Sequence, residues 1–127
     1  MKRGLAAALA AVSVLAAVAL PARAQHMEKS LFLDMTTSGG REQTALLDVY
    51  LRGVLAGIEA ADILLRRAGR RRLACPPPDA HLTGAWLRDA LEDYYREYPD
   101  IPDNVSVALS AQFLLQERFP CPHPASR

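Results

Sequence analysis

The residues that most constrain this chain are Leu47, Tyr50, Leu51, Val54, Leu55, Ile58, Ala61, Leu64 and Leu65. They recur at intervals of three and four, the spacing that aligns side chains along one face of an α-helix. The pattern predicts a helix over about residues 42–68, amphipathic along its length and needing other elements to cover its stripe. Gly53, Gly57 and Ala61 sit four apart on one side of the same segment. Each glycine weakens a helix interior by about 1 kcal/mol. The expected compensation is close approach of another backbone along that side. Packing within the same chain is the first expectation, and a partner the second.

Three further segments carry helical signals. Leu31, Phe32 and Met35 mark a short helix over 28–36, closed by Thr36-Thr37-Ser38-Gly39-Gly40. Thr83 is placed as the N-cap of a helix over 84–98, with an apolar stripe of Leu87, Leu91, Tyr94 and Tyr98 flanked by Trp86, Ala90 and Tyr95. Pro99 stops it. Asp103 or Asn104 is placed as the cap of a helix over 104–118, with Val105, Ala108, Leu109, Gln112, Leu115 and Phe119 as its periodic residues. The fold expected is an all-α, small four-helix domain, one helix short and three longer. There are no internal repeats and no low-complexity tracts.

The N-terminus reads as an export signal. Lys2 and Arg3 supply a positive end, Leu5 to Leu20 run without a charge, and Ala22-Arg23-Ala24 forms an A-x-A cleavage site. The rival reading, an uncleaved anchor, would need about 20 strongly apolar residues, and this run is shorter and rich in alanine. Residues 1–24 are therefore expected to be a cleaved signal peptide, leaving residues 25–127 as a single domain with no membrane span. The whole chain carries 15 basic and 14 acidic residues; without Lys2, Arg3 and Arg23 the balance is 12 against 14. A slightly acidic domain of this kind has no electrostatic footprint for nucleic acid.

Export decides how the cysteines are read. Cys75 and Cys121 are the only two, and in an oxidising compartment a lone pair is expected to form a disulfide. The alternative is a metal site made with His81 and His123. The spacings C-x5-H and C-x-H do not match zinc modules, and Pro120 and Pro122 hinder chelation by the second pair. No metal and no cofactor are expected.

The chain has no G-x-S-x-G elbow, no H-E-x-x-H helix and no phosphate-binding glycine loop. Asp89, Glu92, Asp93 and Glu97 read as the solvated side of a helix rather than an acid/base pair. The chain is not expected to be an enzyme. The run Arg66-Arg67-Ala68-Gly69-Arg70-Arg71-Arg72 fits a helix C-terminus, where cations oppose the macrodipole. Five arginines exceed what a cap needs, which leaves open a landing site for an acidic partner or an anionic envelope surface.

The order of these features resembles a known family. Tyr50-Leu51-Arg52-Gly53-Val54-Leu55-Ala56-Gly57 is followed by Cys75-x-Pro77, a helix after Thr83, Tyr98-Pro99 and a closing Phe119-Pro120-Cys121. This resembles the Tai/Rap-type immunity proteins of Gram-negative bacteria over about residues 44–122. Many relatives carry a further cysteine near the N-terminal helix, whereas residues 25–74 here have none. The resemblance implies a periplasmic protein that binds a peptidoglycan amidase delivered by type VI secretion and occludes its active site. Two surfaces are candidates for that contact: Tyr94, Tyr95 and Tyr98 with Glu92, Asp93 and Glu97, or Arg66, Arg67, Arg70, Arg71 and Arg72. The alternative is a small periplasmic binding or chaperone-like stress protein with no toxin partner. The groove at Gly53, Gly57 and Ala61 also admits a homodimer.

Overall fold

Four helices account for most of the residues that the computed structural model describes, which are 26–122. They are α1 (Lys29–Thr37), α2 (Arg41–Arg67), α3 (Gly84–Glu97) and α4 (Val107–Arg118). The expected all-α architecture, one short helix and three longer, is what the chain adopts, with Cys75 bonded to Cys121. The expected signal peptide, its cleavage site and His123 lie outside the described residues. No helix among the described residues is long and apolar enough to cross a membrane.

The core is built where the four helices meet. Leu47 and Leu51 of α2, Leu87 and Leu91 of α3, Val107 and Leu114 of α4 and Phe32 of α1 are fully buried. Phe32 packs edge-on against Tyr95, with ring centroids 5.7 Å apart. The α2 stripe continues with half-buried Tyr50, Val54, Leu55 and Ile58. It departs from expectation at its end, where Leu64 is 65% exposed and Leu65 is the inward residue.

Helix ends follow local chemistry. The Thr36, Thr37 and Ser38 hydroxyls donate back to Leu33 and Asp34 carbonyls and close α1. A side chain at Gly39 would strike the Met35 carbonyl, so this turn requires glycine. The Gly40 N–H donates to Gln43 Oε1 at 2.6 Å and starts α2. Gly69, at φ 65°, takes the left-handed conformation past the end of α2, and the Arg70 N–H reaches back to the Leu65 carbonyl. Thr83 caps α3 as expected, its hydroxyl accepting from the Trp86 N–H at 3.0 Å.

The last helix begins later than expected, at Val107, with Ser106 rather than Asp103 or Asn104 before it. The cause is pairing with the N-terminal segment. Glu28 and Ser106 form an antiparallel bridge; the Lys29 N–H donates to the Val105 carbonyl and the Val107 N–H to the Met27 carbonyl, both at 2.9 Å. Residues committed to that extended pairing cannot also be helical. The shift rotates the inward face. Val107, Ser110, Ala111, Leu114 and Leu115 are buried, while the expected core residue Leu109 is exposed.

Gly53 and Gly57 also depart from expectation. They were expected to receive a neighbouring helix of the same chain, and instead nothing lies within 4 Å of a side chain built at either. The close approach occurs at Gly84, where an added methyl group would meet the Asp48 carbonyl of α2. Arg88, one turn further along α3, binds Asp48 Oδ1 at 2.6 Å and ties the same crossing. One substitution should therefore have opposite effects at two glycines. Gly84→Ala should lower unfolding stability by about 2 kcal/mol through overpacking. Gly53→Ala should raise it by up to about 1 kcal/mol through helix propensity. Chemical denaturation of dilute protein measures both.

Candidate interaction surfaces

The residues named from the sequence fall in three different environments. Arg66 and Arg67 are exposed in the last turn of α2, and Arg70 and Arg71 are exposed beyond it. Arg72 differs from them. It turns inward, 3.5 Å from Asp62 Oδ2. Asp62 is buried, and its Oδ1 accepts the Leu73 N–H at 2.5 Å. The arginine run is therefore a solvent-facing set of four plus one member that anchors the connector to α2. Its sequence signal was Asp62 itself, a carboxylate in register with Ile58 on the apolar side of the helix.

The tyrosine-acid surface is reordered. Tyr95, expected at a partner surface, is a core residue at 4% exposure. Its hydroxyl and that of Ser110 are buried without a partner in hydrogen-bonding geometry among the described residues. Lys29 is buried beside it. The Lys29 Nζ donates to the Ile101 carbonyl, pairs with Asp103 at 3.4 Å and lies 5.6 Å from the Tyr95 ring centroid. This contact fastens α1 to the segment before α4. Of the acids, Glu92 is half-buried, Asp93 pairs with Arg96 at 2.8 Å on the surface, and Glu97 is exposed.

What reaches solvent instead is an aromatic row. Tyr98 and Tyr94 pack at a centroid distance of 4.8 Å, and the Tyr98 hydroxyl donates to Glu117 Oε1 at 2.8 Å. Glu117 shares a face of α4 with Phe113 and Leu109, spaced four residues apart. Phe113 is 50% exposed and Leu109 45%. Sequence reasoning missed both, because it placed Leu109 in the core and gave Phe113 no part.

A groove of about 420 Å³ lies between α2 and the proline connector, bounded by Arg52, Leu55, Glu59, Pro76, Pro77 and Leu82. Its walls carry the charged residues Arg52, Glu59, Asp62 and Arg72, of which Asp62 is committed to Arg72 and the Leu73 N–H. Among the described residues no group of three or more His, Cys, Asp or Glu could hold a metal ion. Cys75 and Cys121 are bonded, with Cα atoms 4.9 Å apart, and so neither is available as a thiolate. No known family model, curated protein or solved structure matches the chain.

All four tyrosines have hydroxyl pKa values above 10.0. Burial raises Tyr50, Tyr94 and Tyr95, with Glu117 and Glu97 adding to the effect at Tyr94. Tyr98 is pushed up to about 12, first by its hydrogen bond to Glu117. The folded chain thus holds these protons more tightly than the unfolded chain, so their contribution is complete below pH 10 and is lost as pH rises toward 12. Denaturation should show falling stability above pH 10. Glu117→Gln should bring Tyr98 back toward 10, read from phenolate absorbance; an unmoved titration would contradict the assigned hydrogen bond.

Proposed function

We propose that this chain acts by binding another protein in the periplasm, as an immunity-type inhibitor that occludes the active site of a cell-wall amidase. The observation that carries this reading is the row of Tyr98, Phe113 and Leu109. These are large apolar groups left in solvent on a scaffold whose helices are fastened by polar contacts through Lys29, Asp62 and Asp48. Aromatic anchors on a rigid support are what tight protein recognition needs. Glu97 and Glu117 flank the tyrosines and give the row an acidic rim, suited to a basic edge around the partner's cleft. The order of motifs from Tyr50 to Cys121 supports the amidase as the class of partner. The disulfide is consistent with an oxidising location.

The alternative, a chaperone-like stress protein, differs in what it binds. Titration calorimetry of the oxidised protein, residues 25–127, against a type VI cell-wall amidase separates the two. The expected outcome is a saturable complex of nanomolar affinity that abolishes peptidoglycan cleavage. Phe113→Ala should weaken it by about 2 kcal/mol, roughly thirtyfold. Replacing Arg70 and Arg71 should leave it nearly unchanged. Unselective binding of unfolded polypeptides at acid pH, with no amidase bound, would overturn the proposal.

A further inference from the structure

The fold leaves four arginines at the end of α2 without a partner. Arg66, Arg67, Arg70 and Arg71 are exposed, and none makes an ion pair among the described residues. They are not needed to cap the helix. The Leu64, Leu65 and Arg66 carbonyls accept the N–H groups of Ala68, Arg70 and Gly69, so the backbone closes its own end. The macrodipole favours cations in the last turn, which accounts for Arg66 and Arg67 but not for a second pair beyond it. From Ile63 to Pro78 the chain has five arginines and no acidic residue. Outside residues 66–72, the chain from residue 25 onward has seven basic residues against 14 acidic. Positive charge is thus gathered at one end of an otherwise acidic domain.

The same end carries apolar side chains in solvent. Leu64 is 65% exposed and Ile63 36%. Arg66 and Arg67 lie three and four residues beyond Ile63, and Arg67 three beyond Leu64, so these side chains are neighbours on the helix surface. At Gly69, with φ 65°, the chain reverses. The bond from the Arg70 N–H to the Leu65 carbonyl brings Arg70 back to the last turn. Arg71 is strung between that turn and Arg72, which is anchored to Asp62. Asp62 also accepts the Leu73 N–H. The result is an apolar tip edged by four cations, on a backbone held at both ends.

We propose that this end of α2 is a peripheral docking surface for an anionic phospholipid bilayer. Arg66, Arg67, Arg70 and Arg71 contact the phosphates, which guanidinium groups bind through paired N–H donors. Leu64 and Ile63 enter the boundary between headgroups and acyl chains. Residues 63–78 contain no aromatic side chain, the anchor that a protein hot spot or a single-stranded nucleic acid site would use. The acidic balance of the rest of the domain turns it away from such a bilayer and so orients the molecule. The proposal does not depend on the amidase reading, since the aromatic row lies on α3 and α4.

Vesicle co-sedimentation of the oxidised protein, residues 25–127, tests it. Vesicles of phosphatidylglycerol and phosphatidylcholine in equal parts should bind the protein about tenfold or more tightly than phosphatidylcholine alone, and added salt should release it. Arg70→Gln with Arg71→Gln should weaken binding about twenty-fivefold, at about fivefold for each charge removed. Leu64→Gln should also weaken it, while leaving its salt dependence as in the wild type. Arg41→Gln, at the opposite end of α2, should leave it nearly unchanged. Circular dichroism of each variant should match the wild type. Equal binding to the two kinds of vesicle would overturn the proposal. So would a folded Arg70→Gln, Arg71→Gln variant that binds as the wild type does, or an Arg41→Gln variant that loses as much. Retention on polyglutamate with none on the anionic vesicles would point to an acidic polypeptide instead and would equally refute it.

Discussion

The Cys75–Cys121 bond joins the connector before α3 to the segment after α4 and closes the half of the domain with the least regular structure. Its two ends are also paired through the backbone, where the Cys75 N–H donates to the Phe119 carbonyl at 2.8 Å. The residues lie 46 apart in sequence, and in the chain-entropy model closing a loop of that length contributes about 4 kcal/mol. That is a large share of the stability of a domain this size. Trp86 and Phe119 pack beside the bond with ring centroids 6.1 Å apart. The placement of α4 against α3, and with it the aromatic row, depends on this closure.

The remaining attachments are polar, and each has at least one buried or half-buried charged partner. Lys29 holds α1 to the loop before α4, Asp62 holds the connector to α2, and Asp48 holds α3 through Arg88. Each charged side chain has a charged counterpart, and Lys29 and Asp62 each bind a backbone group as well, the condition under which buried charge is tolerated. The connections between helices are thus specified by particular contacts, while the apolar core supplies bulk. This division leaves two apolar surfaces outside the core, one on α2 and one across α3 and α4.

The helices were legible in the sequence because α1, α2 and α3 have distinct apolar sides and marked ends: Gly39-Gly40, Gly69, Thr83 and Pro99. The disulfide was legible from the number of cysteines together with the expectation of export. The face of α4 was not. Val107 to Leu115 is apolar on nearly every side, so two rows of residues have helical spacing and periodicity does not choose between them. The choice was made by residues 27–29, whose pairing with 105–107 delays the helix start; no local pattern announces that contact. Tyr94, Tyr95 and Tyr98 were ambiguous for a related reason. Positions 94, 95 and 98 span an arc of only about 100° around α3, so periodicity leaves open which tyrosine turns inward, and Phe32 arriving from α1 packs against Tyr95. The expectation that another helix of the chain approaches Gly53 and Gly57 fails, because nothing lies within 4 Å of a side chain built at either, and spacing alone does not say that anything approaches.

Export and a joined pair of cysteines are the two conditions on which the proposed binding role depends. Intact mass measurement of the protein recovered from the periplasmic fraction tests both at once. The expected product is a chain beginning at Gln25, lighter by two hydrogens than its reduced form, and alkylated at Cys75 and Cys121 only after reduction. A cell-associated chain that retains residues 1–24 and carries two free thiols would contradict it.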